Sequence, residues 1–424
     1  MRGVLSLIIL LGLSGLGLAA EEAKLDTGNT AWMLVASALV VFMTVPGLAL
    51  FYGGLDKAKS ILNTIAMSFT AFALVTLTWI AVGYSIAYGD DILGFMGNPF
   101  QYFFGKGISG INPDTGYPAL LDLMFQLTFA AITTALISGS FVGRMKFSAW
   151  LLFALLWSVI VYPPVAHWVW GGGFLSQHGA LDFAGGTVVH INAGVAGLVG
   201  ALILGRRKDA ALIPNSVPLV ALGAGILWFG WFGFNAGSAL AANETAAWAM
   251  INTTVAASTA ALAWMFAEWL HAGKPTVVGI SSGIIAGLVA ITPAAGFVNL
   301  VGAVLIGAIA APIAYFAVAL LKPKFGYDDA LDVFGIHGMA GIVGAVLTGV
   351  FADPSVGGTP GLIYGNVKQV FVQLVGVVVT MVYSAVLTAA ILLALKATVG
   401  LRVSEEEEVE GLDSAEHGEK AYNF

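Results

Sequence analysis

Two histidines head segments that resemble each other. One segment, Asp182 to Gly205, reads DFAGGTVVHINAGVAGLVGALILG, and the other, Asp332 to Gly349, reads DVFGIHGMAGIVGAVLTG. With His190 laid on His337, Ala193, Gly194, Val195, Ala196 and Gly197 meet Ala340, Gly341, Ile342, Val343 and Gly344. Both have the form His-x-x-Ala-Gly-(Val/Ile)-(Ala/Val)-Gly with an aspartate upstream. Imidazole titrates near pH 6.5 and can both donate and accept. Two such rings side by side could bond a small polar species in turn and relay a proton. An ionisable ring inside an apolar segment is costly and commonly marks an ion or proton path. The plainer alternative is a histidine that bonds a neighbouring helix, and the matched positions argue for a shared path.

Aromatic residues are the second chemical signal. Phe125 and Phe129 stand four apart in FQLTF, on one face of a helix. The stretch YPPVAHWVWGGG, Tyr162 to Gly173, pairs a proline break with Trp168 and Trp170. Tryptophans at such a place commonly form an interfacial belt, but the three glycines suggest a turn that folds Trp170 inward. WFGWFGFNAGSA, Trp228 to Ala239, adds Phe234 and the hydroxyl of Ser238. Ring faces attract a small cation, at about 2 kcal/mol or more when desolvated, and Ser238 could accept one hydrogen bond. Each stripe alone is more often packing than a site. Asp182 reads as a helix cap, and Asp328, Asp329 and Asp332 invite the same reading before the second histidine. No nucleophile–base pair and no metal-ligand set is apparent, so an enzyme is disfavoured and no metal or cofactor is expected.

The elements that must position these residues are membrane spans. The chain has 424 residues, 10% of them charged, and a mean hydropathy of +0.91, which a soluble domain of this size does not have. The net charge of -7 owes much to the run Glu405 to Glu408 and says little about nucleic acid, which is not an expected partner. There is no cysteine, hence no disulfide and no thiol chemistry. Residues 1–20 read as a cleaved signal peptide, with Arg2, an apolar run and a small-residue end at Ala19–Ala20. Eleven apolar stretches follow, near 31–54, 61–88, 119–142, 147–168, 184–205, 217–240, 245–271, 276–295, 298–321, 332–351 and 367–398. With the amino terminus outside, the lysines and arginines from Lys57 to Lys420 lie in the cytoplasm, except that Lys106 and Lys368 join Lys24 outside. The expected fold is therefore an all-α membrane protein of eleven transmembrane helices. The histidine helices are the fifth and tenth, so they cross in opposite directions. Helices 1–5 and 6–10 are thus expected to be inverted five-helix repeats with a final helix left over, a plan that places the transported species between the halves. The transmembrane domain is expected over 21–399. Residues 400–424 form a polar cytoplasmic tail, which composition reads as solvated and which could also dock or gate.

Several stretches make the chain resemble the ammonium transporter family (Amt/Mep/Rh), its bacterial Amt branch in particular. They are FYGGL (51–55), AHWVWGGG (166–173), HGALDFAGGTVVHINAGVAGLVGA (178–201), GWFGFNAGS (230–238), NTTVAAS (252–258), SSGIIAGLVAITPAAG (281–296), DVFGIHG (332–338) and the tail itself. The long block around His190 and DVFGIHG are specific; the glycine-rich pieces alone are not. The resemblance implies an eleven-helix fold in two inverted halves, assembled as a homotrimer with one pore per subunit in the cell (inner) membrane. By resemblance, Phe125, Trp170 and Ser238 match an outer ammonium-recruitment site. Phe129 and Phe234 match the stacked rings that close the pore below it. His190 and His337 match the twin histidines, and Asp182 the aspartate that supports the outer site. The cytoplasmic face and tail match the region where PII-type signalling proteins dock. Nothing is carried to residues 89–118.

Three functions compete. Ammonium transport for nitrogen uptake fits best: recruitment of the ion, loss of a proton, and passage of ammonia through an apolar pore with a proton relay. Potassium is similar in size but has no proton to lose. A membrane ammonium sensor of the same fold would carry a signalling domain or altered pore residues, and here the tail is short and both histidines are present. A transporter of another solute would need groups to hold that solute, and the expected pore has few ionisable residues.

Overall fold

The computed structural model describes residues 22–423, so the expected signal segment, 1–20, lies outside the described residues. Among the described residues, ten helices are long and apolar enough to cross a membrane. In chain order, with one shorter helix in its place, they are α1 (Thr27–Leu55), α2 (Ile61–Tyr88), α3 (Leu120–Ser140), α4 (Phe147–Gln177), α5 (Gly186–Leu204), α6 (Val217–Gly237), α7 (Glu244–Ala272), α8 (Val277–Ile291), α9 (Leu300–Phe325), α10 (Phe334–Phe351) and α11 (Val367–Thr398). The chain is an all-helical membrane protein. The shorter α8 has 15 residues. At about 1.5 Å per residue it rises roughly 22 Å, less than a bilayer core of about 30 Å. A buried turn through Thr292, Ala294 and Ala295 extends it.

Local sequence accounts for where these helices begin. Asp26, Ser216, Asn243, Thr276 and Asn299 each stand just before a helix and accept a backbone N–H of its first turn. Each cap satisfies a donor that apolar surroundings would leave bare. The proline signal in α4 also holds. The helix breaks at Val161, and Tyr162–Trp170 starts afresh with its prolines in the first turn. Both histidine helices open on a wider π-type turn, Gly186–Ile191 and Phe334–Gly338, rather than on regular α-helix. Such turns recur at functional positions. Between α2 and α3, Asp91–Ile92 pairs antiparallel with Met96–Gly97.

Two sequence expectations need correction. The tail is not a solvated strand of charge. It folds as two short helices, Glu405–Glu410 and Leu412–His417, against the helix ends at one face, with Leu412 and Asp413 buried. Asp413 accepts the backbone N–H of Asn63, and Glu416 that of Phe147, so two acidic residues cap the starts of α2 and α4 from a distance in sequence. The aspartates before α10 also do not all cap it. Only Asp329 does, accepting from Val333 and Phe334. Asp328 instead forms an ion pair with Arg207 at 2.8 Å, and Asp332 with Lys322 at 2.8 Å.

Candidate functional site

His190 and His337 meet in the middle of the bundle. Their Nδ1 atoms lie 3.0 Å apart, with the two rings 14° from parallel. The backbones that carry them must come very close. A Cβ on Gly194 would stand 2.4 Å from the backbone nitrogen of Gly338, and one on Gly341 would stand 3.2 Å from the Cβ of His190. Position 194 faces 338 while 190 faces 341, so the two helices run antiparallel past each other here. Glycine at both places permits that approach. The shared Nδ1 contact holds one proton. One ring donates it and the other accepts, so the rings are in opposite tautomers and their Nε2 atoms have opposite roles. His190 Nε2 has no hydrogen-bond partner among the described residues.

The space beside the pair is small and apolar. A cavity of about 10 Å³ is lined by His190, His337, Phe234, Trp231, Ile132, Leu136 and other apolar side chains. That is roughly the space one water-sized molecule needs. Trp231 lies parallel to His190, centroids 5.4 Å apart, and its Nε1 donates to Thr292 Oγ1 at 2.9 Å. Phe234 also faces a second ring, Phe129, stacked at 4.2 Å and 21°. The two phenyl rings form the wall between the histidine cavity and a larger one.

That larger cavity, of about 290 Å³, opens at the face opposite the tail. Tyr88, Gln126, Phe129, Val169, Trp170, Phe183, Ser238 and Leu240 line it. Trp170 approaches Phe129 edge-on at 6.0 Å. Ser238 donates its hydroxyl proton to the Phe234 carbonyl at 2.7 Å, which leaves its oxygen lone pairs to accept from a guest. Among the described residues, no carboxylate lines the cavity. Its walls are ring faces and neutral dipoles, a setting that attracts a small cation without trapping it.

Asp182 supports both levels from behind. Its carboxylate accepts the backbone N–H groups of Gly185, Gly186, Thr187 and Val188, at 2.6 to 3.0 Å. Its backbone carbonyl accepts Trp170 Nε1 at 2.8 Å. The turn needs glycine at 185, where φ is +118°. The carboxylate thus fixes the turn that carries His190, while the same residue's main chain holds the indole.

Of the residues singled out in the sequence, Trp170 and Ser238 share the larger cavity, and Phe129 and Phe234 stack beneath them. His190 and His337 touch, and Asp182 sits behind. Phe125 is placed differently. It is buried edge-on to Phe129 at 4.9 Å, under Gly237, and does not line the cavity. Sequence reasoning missed Tyr88, Gln126 and Trp231, and it read Asp329 as a cap without pairing it with Asp182. That pairing was open to discovery: the offset of 147 that carries His190 to His337 carries Asp182 to Asp329, not to Asp332. Trp231 lies three residues before Phe234 in the aromatic run. Tyr88 closes α2 beside the stretch that offered no motif.

A sequence model described as Ammonium Transporter Family matches residues 31–422. The chain belongs to the ammonium transporter family. It is accordingly a multi-pass membrane transporter and not an enzyme. It is 85% identical over 405 residues to an ammonium transporter of Aquifex aeolicus, covering 96% of each chain. It is 48% identical over 408 residues to an ammonium transporter of Bacillus subtilis, covering 94% of this transporter and 99% of that one. Among solved structures, Saccharomyces cerevisiae Mep2 matches with a TM-score of 0.86 at 39% identity, covering 91% of this chain and 89% of that one. A sensor Amt protein matches with the same TM-score of 0.86 at 29% identity, covering 92% and 98%.

Proposed function

We propose that this transporter recruits ammonium at the aromatic cavity, strips one proton, and conducts ammonia past the stacked rings and along the histidine pair. The observation that carries the reading is the Nδ1 contact of His190 and His337 beside an apolar cavity of about 10 Å³. A hydrated ion does not fit there. A bare one would meet the cost of a charge in hydrocarbon, a few to above ten kcal/mol by different scales. Neutral ammonia is the size of water and avoids most of that cost. The donor and acceptor Nε2 atoms suit ammonia, which both accepts and donates; when the bare Nε2 takes the proton given up by ammonium, the shared Nδ1 proton passes to the other ring, that ring releases its own Nε2 proton, and the two Nε2 atoms have exchanged roles. That exchange is the proton relay of this proposal. Potassium, with no proton to give up, is rejected at the rings.

The wider architecture follows the same reading. Eleven spans result when α8 and its buried turn are counted as one crossing, and α1–α5 and α6–α10 are then inverted halves. The antiparallel meeting of α5 and α10, and the shared offset of Asp182 and Asp329, support this. The basic residues near the tail support a cytoplasmic position for that face, in the cell membrane, with the amino terminus outside. A homotrimer and a PII-type partner on the tail face are part of the proposal by family resemblance. Proteoliposomes carrying purified protein test it: an ammonium gradient should drive current, and an equal potassium gradient should drive none. Equal currents with both ions would overturn the proposed selectivity.

A further inference from the structure

The larger cavity has two walls that are distant in sequence, Tyr88 at the end of α2 and Trp170 in α4. The Tyr88 hydroxyl is buried and has no partner among the described residues, so it is free for a guest. Behind these walls, and not lining the cavity, lies His167, whose side chain is 0% exposed. Its Nδ1 is 2.8 Å from the carbonyl oxygen of Ala87, the residue before Tyr88. Its Nε2 is 2.7 Å from Asp91 Oδ1, in the hairpin that follows α2. A carbonyl can only accept, so Nδ1 carries a proton. The His167 hydrogen bond holds the Asp91 carboxyl below its ordinary value. The main chain of His167 completes the arrangement. Its carbonyl accepts the N–H groups of Gly171 at 3.0 Å and Gly173 at 2.9 Å, just past Trp170. There is no slack: a Cβ on Gly171 would stand 2.0 Å from the Ala87 oxygen.

We infer that His167 is a positioning residue of the recruitment cavity, clasping the end of α2 to the end of α4 and so fixing Tyr88 and Trp170 across from each other. The inference rests on the reading that Trp170 recruits ammonium. His167→Gln retains a donor that reaches Asp91 and loses the tie to Ala87; His167→Asn does the reverse. Asp91→Asn, on the surface, keeps an acceptor and removes the charge. Loss of one buried hydrogen bond should raise the half-saturating ammonium concentration about tenfold in His167→Gln. Maximal current should stay within about twofold, because the histidine pair is untouched. His167→Asn and Asp91→Asn should give smaller rises. A merely structural role would instead lower maximal current and protein yield together.

The chain has no cysteine, so spin labels can be placed cleanly at Ile92→Cys and Ser176→Cys, one on each side of the clasp. Their distance distribution should be narrow in the parent and broad in His167→Gln, with or without ammonium. An unchanged distribution and an unchanged half-saturation in His167→Gln overturn the inference. A broadened distribution, with no change in half-saturation for either His167→Gln or Trp170→Leu, upholds the clasp and defeats recruitment by Trp170.

Discussion

Replacing Asp182 with asparagine should damage the transporter far more than the loss of one charge suggests. In the native turn, Oδ1 accepts from Gly185 and Gly186, and Oδ2 from Thr187 and Val188. Asparagine keeps one oxygen and turns an NH2 group toward two N–H donors. Two buried donors lose their partner, at about 1–3 kcal/mol each. The two bonds that survive change from charge-assisted to neutral, which roughly halves their strength. The expected loss is about 2–6 kcal/mol, concentrated on the turn that carries His190 and on the carbonyl that holds Trp170. Unfolding of detergent-solubilised protein should shift down by several degrees. Ammonium-driven current should fall at least about tenfold, which corresponds to only about 1.4 kcal/mol of that loss. Asp329→Asn is the matched control. It weakens the turn before His337, where Asp329 also accepts the Ser140 hydroxyl at 2.6 Å, but leaves Trp170 held. It should lower maximal current without moving half-saturation. An Asp182→Asn protein with wild-type melting and wild-type current would refute the claim that this carboxylate holds the site together.

Trp170→Leu should raise the half-saturating ammonium concentration and weaken selection against other cations, with little effect on folding; concentration-dependent currents check it. For Asp328, burial raises the carboxyl, but the Arg207 hydrogen bond and the Arg144 and Arg207 charges bring it down to about 2. A depressed value means the stabilisation, about 2 kcal/mol, is complete above roughly pH 4 and is lost as pH falls toward 2. Asp328→Asn should therefore melt below wild type at pH 7, and that gap should narrow at pH 3. Truncation after Val399 should uncap the starts of α2 and α4 and abolish capture of a PII-type protein from solution; pull-down with full-length and truncated protein, and melting of both, decide it.

Much of this was legible in the sequence because membrane spans are written in hydropathy. The expected stretch 367–398 coincides with Val367–Thr398, and 245–271 with Glu244–Ala272 to within a residue at each end. The proline break before Trp170 and the capping by Asp182 were also readable, since each follows from local backbone chemistry. Long-range partners were not. Asp328 precedes α10 as a cap would, and only the folded chain brings Arg207 to it. Nothing in a run of glutamates says that Asp413 and Glu416 will cap helices hundreds of residues away. Phe125 shares a helical face with Phe129, but a small rotation of α3 decides which ring lines the cavity. Spacing does not fix that angle. Tyr88 and His167 stayed hidden because their meaning lies in each other's neighbourhood, joined through Ala87 and Asp91.

The central claim is that His190 and His337 act as one proton-handling unit. Ammonium-driven current in proteoliposomes carrying His190→Leu, His337→Leu and the double variant measures it directly. A single unit predicts that each single replacement abolishes most of the current and that the double loses little more, because residues in one hydrogen-bonded pair fail together. Two independent packing residues predict small losses that add. Wild-type-like current in the double variant would contradict the account outright.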